Sequence, residues 1–587
     1  MQKKLLYAVL VSLVSCTSNT VKTKKDTITN NAQFDAFKNR FVSALWKANP
    51  QWATSQGFHD YDSVLIIPNV TSRVADLAFN NSYLDSLNQL DINQLDQNNA
   101  TDFALIQNQL KQSVWSITEY KAHEWNPSNY NIGGTVAEIL NNKNAALTMK
   151  VANVNGLLRN INNYYNAAKQ NITTPTLEHT DLAIQQLQGT VSYLETSAKD
   201  SIIAVKGNLL ILKNALDATN NFIDFLQGKK TEMQKNNVAF KNFRIGKDLF
   251  FAKFKYEIQA QSTAEQIYKR ALKRKEELNT EMATLAAHWW KNKNAKVPLP
   301  ANKKEMVREA IATISKTHVS RQNFQTEIER EIPLLTAFVK QKNLIYMDPA
   351  KPLVVRKEPE WMAGVAGASI SAPGPYDKNG NTYYNVGSLA AYSPEEAESY
   401  LREYNQYTLQ ILNIHEAIPG HYAQLVYANQ SPSIIKAILG NGAMIEGWAV
   451  YTERMMMEEG WAKNTVINGT VQEDEMWLMY YKWHLRVVCN TILDYNTHVN
   501  NWTKAQALNL LMNEAYQEKA EAEGKWRRAT LTQVQLCSYF TGYSEIYDLR
   551  QTLKTKQQAN FNLKEFHEKL LSFGSAPIKF IAPIMSK

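Results

Sequence analysis

His415-Glu416-Ala417-Ile418-Pro419-Gly420-His421, then about two dozen residues, then Glu446-Gly447-Trp448-Ala449-Val450-Tyr451-Thr452-Glu453: this stretch decides how the rest of the chain is read. Two histidines with a glutamate beside the first, and a further glutamate downstream, make a zinc-binding set. Neutral imidazoles and a carboxylate suit Zn²⁺, and three protein ligands leave a fourth position open for water. Glu416, next to the first histidine, can take a proton from that water.

In the short zinc motif His-Glu-x-x-His the two histidines stand four apart on one helical face. Here they stand six apart. At about 3.6 residues per turn, six residues turn the chain through about 600°, or about 240° out of phase. A regular helix would therefore point the rings apart. Pro419 and Gly420 lie just before His421. Proline interrupts the hydrogen-bond ladder and glycine admits unusual dihedrals, so a bulge at this pair is expected to bring His421 back beside His415.

Working outward, the 587 residues suffice for one large domain or several ordinary ones, and 44% hydrophobic content supplies a sizeable core. The formal net charge of +9 is spread along the chain. No dense Lys/Arg block is interleaved with aromatics, which argues against nucleic acid as a partner. The N-terminus reads Met1-Gln2-Lys3-Lys4 followed by an apolar run from Leu5 to Val14. That is a charged region and an apolar region of signal-peptide length, too short to span a bilayer stably. It closes on Leu13-Val14-Ser15-Cys16, which resembles a bacterial lipobox, with Cys16 as the lipidated first residue of the mature protein. Residues 1–15 are then a lipoprotein signal peptide and 16–31 a flexible tether. The remaining cysteines, Cys489 and Cys537, lie in apolar contexts and read as buried free thiols.

From residue 32 to about 245 apolar residues recur at helical spacing, as in Phe34, Phe37, Phe41 and Leu45. This N-terminal helical part carries no chemical motif, and its His59, His123 and His179 read as structural or surface residues. Residues 246–587 form the metal-binding part. Ser262-Thr263-Ala264-Glu265 reads as a capping box before a long helix. Proline, glycine and short β-prone runs between Met347 and Tyr392, with a turn signal at Asn379-Gly380-Asn381, predict one small sheet or hairpin. An edge strand near a metal could hold a substrate backbone by strand addition. Ser393-Pro394-Glu395-Glu396 starts a helix that the pattern carries to Leu412. Later helices fit Glu473 to Asn500, Thr503 to Glu521 and Thr532 to Thr555.

At His415 and Glu446 the sequence resembles the bacterial family catalogued as domain of unknown function 885, grouped with the gluzincin metallopeptidases. The second motif is also similar to the Asn-Glu-Gly-Phe-Ala segment of aminopeptidase N relatives, whose glutamate binds zinc. The resemblance implies Glu446 as third ligand and Glu453 as a residue supporting the ligands from two turns on. Arg528, Gln535, Tyr539 and Gly542 look like the family's Arg…Pro-Gly-Gln…Tyr…Gly segment, with Gln533 and Val534 where Pro and Gly are usual. Asp494 and His498 before Trp502-Thr503 look like its Asp-x-x-x-His segment, with Asn490 and Asn496 where an Arg and a Gly are usual. The resemblance covers most of residues 240–555 and implies a mainly α fold, a large helical shell around a deep cleft.

The expected activity is hydrolysis of peptide bonds, in short peptides, by one Zn²⁺ per chain held by His415, His421 and Glu446, with Glu416 as general base. Tyr539 is the candidate to stabilise the oxyanion, and Arg528 to hold a substrate carboxylate or carbonyl. His498, oriented by Asp494, is a further candidate for substrate contact. Two other readings stay open: a zinc amidase acting on a non-peptide or cell-wall-derived substrate, and a lipid-anchored binding protein whose metal is structural. The lipobox places the protein in the bacterial cell envelope, and the basic, hydroxylated residues after Cys16, with no acidic run, point to the outer membrane facing the periplasm.

Overall fold

The computed structural model describes residues 24–236, 240–293, 295–351, 353–362, 367–377 and 379–586. The signal segment and Cys16 lie outside them. The fold is mainly α, with one small three-stranded sheet and a short hairpin. Among the described residues no helix is long and apolar enough to cross a membrane.

The first described helix, Lys24–Ala48, begins inside the stretch expected to be a tether. Its start is held from outside: the Asn31 side chain accepts the backbone N–H of Asp96 at 3.1 Å, and Asn30 donates to Gln94. The apolar stripe of this helix, Phe34, Phe37, Phe41 and Leu45, is buried as its spacing predicts. It does not belong to a separate N-terminal core. These side chains, with others up to Leu110, join one hydrophobic cluster with residues from Ile245 to Ile581. A second cluster is built by Leu65 and residues between Tyr130 and Leu226. The core therefore does not divide near residue 245. A buried ion pair closes the same seam: Lys436 lies 2.5 Å from Asp102, with 3% and 1% of the side chains exposed. Ser433 and Lys38 also donate to Asp102, and Lys436 donates to the Asn98 carbonyl.

The sheet has order β1-β3-β2, with β1 (Leu353–Lys357), β2 (Ala368–Ser371) and β3 (Thr382–Val386). β3 runs parallel to β1, pairing Leu353 with Thr382, and antiparallel to β2, pairing Ala368 with Val386. It is a mixed sheet rather than a simple hairpin, and Asn379-Gly380-Asn381 lies at the end of a long connection. From the central strand, the Tyr384 hydroxyl donates to Asn413 at 2.9 Å, and Asn413 donates to the buried Glu331 at 2.7 Å. The sheet is thus anchored on the helix that carries His415. A further hairpin, β4 (Val466–Ile467) with β5 (Thr470–Val471), turns at Asn468 and Gly469, both at positive φ.

Three helix boundaries differ from the sequence pattern, each for a local reason. The capping box sits at Thr263 and Gln266, one residue after the expected Ser262, and opens Ala264–Lys293. Ser393 and Glu396 cap their helix reciprocally as expected, but it stops at Glu403. Asn405 then accepts the N–H groups of Tyr407 and Thr408 and starts a new helix, Gln406–Glu416. The segment expected as Thr503 to Glu521 is interrupted by a wide turn at Asn509–Glu514 and resumes at Lys519–Leu531.

Candidate metal centre

His415 is in the last turn of Gln406–Glu416, and His421 is the first residue of His421–Asn429. The expected bulge is a full break between two helices. The chain leaves the first at Ala417, passes Ile418 and Pro419, and turns at Gly420. Gly420 is required by space: a Cβ there would lie 1.9 Å from the His415 carbonyl oxygen. Trp448, two residues past Glu446, donates its indole N–H to the Pro419 carbonyl at 2.9 Å and ties the turn to the Glu446 helix, Gly442–Glu458. The two imidazoles stand 4.7 Å apart, nearly perpendicular.

Glu446 Oε2 faces both rings, 3.5 Å from His415 Nε2 and 3.3 Å from His421 Nε2. One ligand atom from each of the three residues lies within 4.8 Å of the others. His415 Nδ1 is 2.6 Å from Glu453, so an N–H there donates to the carboxylate and leaves Nε2 as a lone pair pointing at Glu446. Among the described residues Glu446 Oε2 is buried without a hydrogen-bond partner. Acceptor atoms converging on one point need a proton or a cation between them. Two nitrogens and one carboxylate oxygen are the donor types zinc takes, so these residues fit the ion.

The electrostatics agree. Burial works against a charged His415, but the carboxylates of Glu446 and Glu453 outweigh it and push its pKa up to about 10. Burial would raise Glu446, yet the His415 and His421 rings hold it far below the usual carboxylate range. Without a metal, the set retains a proton where the ion would sit. Glu416 ends its helix beside His415 with 7% of its surface exposed.

Arg528 and Tyr539 lie against this set. The Tyr539 ring stacks on His415, centroids 6.1 Å apart, and its hydroxyl accepts from Arg528 at 2.6 Å. Arg528 also donates to Gln535 at 2.8 Å, and Gln535 donates to Glu446 Oε1 at 3.2 Å. Burial keeps the Tyr539 phenol well above its usual pKa, so it holds its proton.

His498 and Asp494 do not face a substrate. Both are fully buried, and His498 packs between Phe243 and Phe250 with its Nε2 donating to the Ala529 carbonyl at 2.9 Å. Asp494 accepts the backbone N–H groups of Val534 and Leu536, each at 3.1 Å. It fixes the turn that carries Gln535, which is why the last long helix begins at Cys537 rather than Thr532. Cys489 and Cys537 are buried free thiols. Trp448 stands inside the quoted motif, but its bond to Pro419 closes through the fold and leaves no spacing signal.

The described bacterial family of unknown function, DUF885, matches residues 50–585. The chain belongs to the DUF885 family. A candidate lipoprotein of unknown function from Shewanella oneidensis is 46% identical, covers 94% of this chain and all of its own, and superposes with a TM-score of 0.78. A second candidate lipoprotein, from Colwellia psychrerythraea, shares the fold at 15% identity, covering 95% and 98% of the two chains with a TM-score of 0.72. No curated protein matches the chain. At position 534, where the resemblance to DUF885 proteins puts a glycine, this chain has Val534 at φ +73°. The turn therefore has the left-handed backbone that glycine adopts freely, built here with a β-branched residue.

Proposed function

We propose that this protein is a zinc-dependent hydrolase of peptide bonds, acting on short peptides with one zinc per chain. The observation that carries the reading is the convergence of His415, His421 and Glu446 with Glu446 Oε2 buried and unpartnered. A zinc ion there would supply Lewis-acid polarisation of the scissile carbonyl and an activated water. Glu416, next to His415, takes the proton from the attacking water and returns it to the leaving amine. Tyr539, protonated and stacked on His415, offers its O–H to the oxygen that gains charge in the tetrahedral state. Arg528 donates to the phenol oxygen and holds it in place. Glu453 keeps the His415 ring in the tautomer that presents Nε2.

The lipobox at Cys16 and the candidate-lipoprotein relatives support a lipid-anchored protein of the cell envelope. The test uses the soluble form lacking residues 1–16 beside a His421→Ala variant. One zinc per chain, lost in the variant while the helical spectrum persists, with cleavage of unmodified short peptides only by the zinc-loaded parent, is the expected result. Equal metal in both proteins, or loaded protein that cleaves amides but no peptide, overturns the reading.

A further inference from the structure

Lys525 stands one turn before Arg528 on the helix Lys519–Leu531, with 4% of its side chain exposed. Its neighbouring carboxylate is Glu521, at 3.5 Å. That carboxylate is already engaged by Arg486 at 2.7 Å and by the Tyr404 hydroxyl at 3.1 Å. Among the described residues Arg528 hydrogen-bonds only neutral groups, Tyr539 and Gln535. Its Nε, and Nη1 of Arg486, are buried without a protein partner. Glu403, a second carboxylate acting on Arg486, is already paired with Lys482 at 2.5 Å, so Lys525 and Arg528 have no carboxylate in direct contact that is theirs alone. Glu446 is the next carboxylate, beyond Gln535, and its free oxygen faces the two imidazoles.

Buried cations lacking counter-charge are costly, and such an excess beside a candidate site marks the place where a ligand supplies the missing anion. Burial, followed by the Arg486 guanidinium, draws the Lys525 ammonium down to about 7, against the pull of Glu521. A bound carboxylate would reverse that by charge-assisted hydrogen bonding. Through Gln535, Arg528 is one residue removed from the ligand Glu446, so a carboxylate held here lies close to the bond that is cut. We infer that Lys525 and Arg528 form a carboxylate-recognition subsite beside the metal set, so that preferred substrates are short peptides with a free carboxyl end near the scissile bond. The inference rests on the proposed peptidase reading and makes Lys525 the residue that sets end preference.

The test is binding to the zinc-loaded soluble protein carrying Glu416→Gln, which prevents turnover. Three alanine tetrapeptides are compared by calorimetry: the free acid, its carboxyl-terminal amide, and an amide with one alanine replaced by aspartate. The free acid is expected to bind at least about tenfold more tightly than the amide, Lys525→Met to erase that difference, and Lys525→Arg to keep most of it. An aspartate amide that binds as well as the free acid assigns the subsite to a side-chain carboxylate instead of the chain end. Equal binding of free acid and plain amide, no binding of either, or a preference that survives Lys525→Met overturns the subsite. Thermal melting confirms that each variant folds, and the free-acid comparison in the Glu416→Gln protein decides the matter if Lys525→Met does not. Failure of the zinc-loaded parent to cleave any peptide would sink the peptidase reading while leaving this binding result to stand by itself.

Discussion

The carboxylate of Asp494 accepts the backbone N–H of Val534, a valine held at φ +73°. The other carboxylate oxygen takes Leu536, so both bonds brace a turn that a β-branched residue would not choose. Asp494→Ala leaves two buried N–H groups unpaired and is expected to cost about 2–4 kcal/mol in denaturant unfolding. A change below about 0.5 kcal/mol would show that the turn is held by its packing alone.

The helices bearing Glu446 and Tyr539 cross where Gly447 meets Gly542. A Cβ on Gly542 would lie 1.7 Å from the Ala443 carbonyl oxygen, and one on Gly447 would lie 2.3 Å from the Gly542 backbone. Neither neighbour is a side chain that could swing aside. Gly542→Ala is therefore expected to destabilise by about 3 kcal/mol, well above an ordinary glycine-to-alanine change in a helix, which gains stability. The denaturation midpoint of the variant measures it.

Glu453→Gln keeps the size of the side chain and removes the charge that orients His415. Zinc affinity should fall about 10- to 100-fold while the helical spectrum is unchanged. Competition with a chelator of known affinity reads the loss. An affinity unchanged within error would mean that the ring is oriented by its helix alone.

His179 is buried in one neutral tautomer, its Nδ1 accepting from Thr176 at 2.6 Å and its Nε2 donating to the Leu531 carbonyl at 3.0 Å. Burial lowers its pKa from 6.5 to about 4, although the Leu531 bond opposes the shift. The unfolded chain therefore takes up the proton first, and this histidine's contribution to stability is lost as pH falls from about 6.5 toward 4. At pH 5 the loss is on the order of 2 kcal/mol. Buried carboxyls raised toward neutrality, Asp494 and Glu331 among them, pull the other way. The check is consequently a comparison: the change in unfolding free energy between pH 7 and pH 5 should differ by that amount between the parent and His179→Gln. An identical pH dependence refutes it.

The approach of His421 to His415 was legible because the motif is local. His415, Glu416 and His421 fall within seven residues, and the helix-breaking pair between the histidines signals that the chain changes direction there. The Ser393 capping box was equally plain. Asn405 was not, because it interrupts a periodic run without proline or glycine, and only its side-chain bonds reveal the restart. Asp494 and His498 look like a paired site at helical spacing, yet their partners, Val534, Leu536 and Ala529, are 31 to 42 residues away. Lys525 gives no signal of its own in the sequence, and only its burial sets it apart from the exposed Arg527. The parallel pairing of β1 with β3 lies beyond any local pattern, since it joins strands separated by a third.

The core that the first helix shares with the half carrying His415 has a consequence for how such a protein can be shortened or inherited. A fragment beginning at residue 246 would lay bare the surface that Phe34, Phe37 and Phe41 now cover. It would also strand Lys436 beside an empty place where Asp102 had been. Gene fusions or natural truncations that cut near 245 should accumulate as insoluble or degraded product, and recombination between relatives should keep both ends of the reading frame together. The His415, His421 and Glu446 cluster is built by the second half of the chain, but it can be passed on only as a single piece.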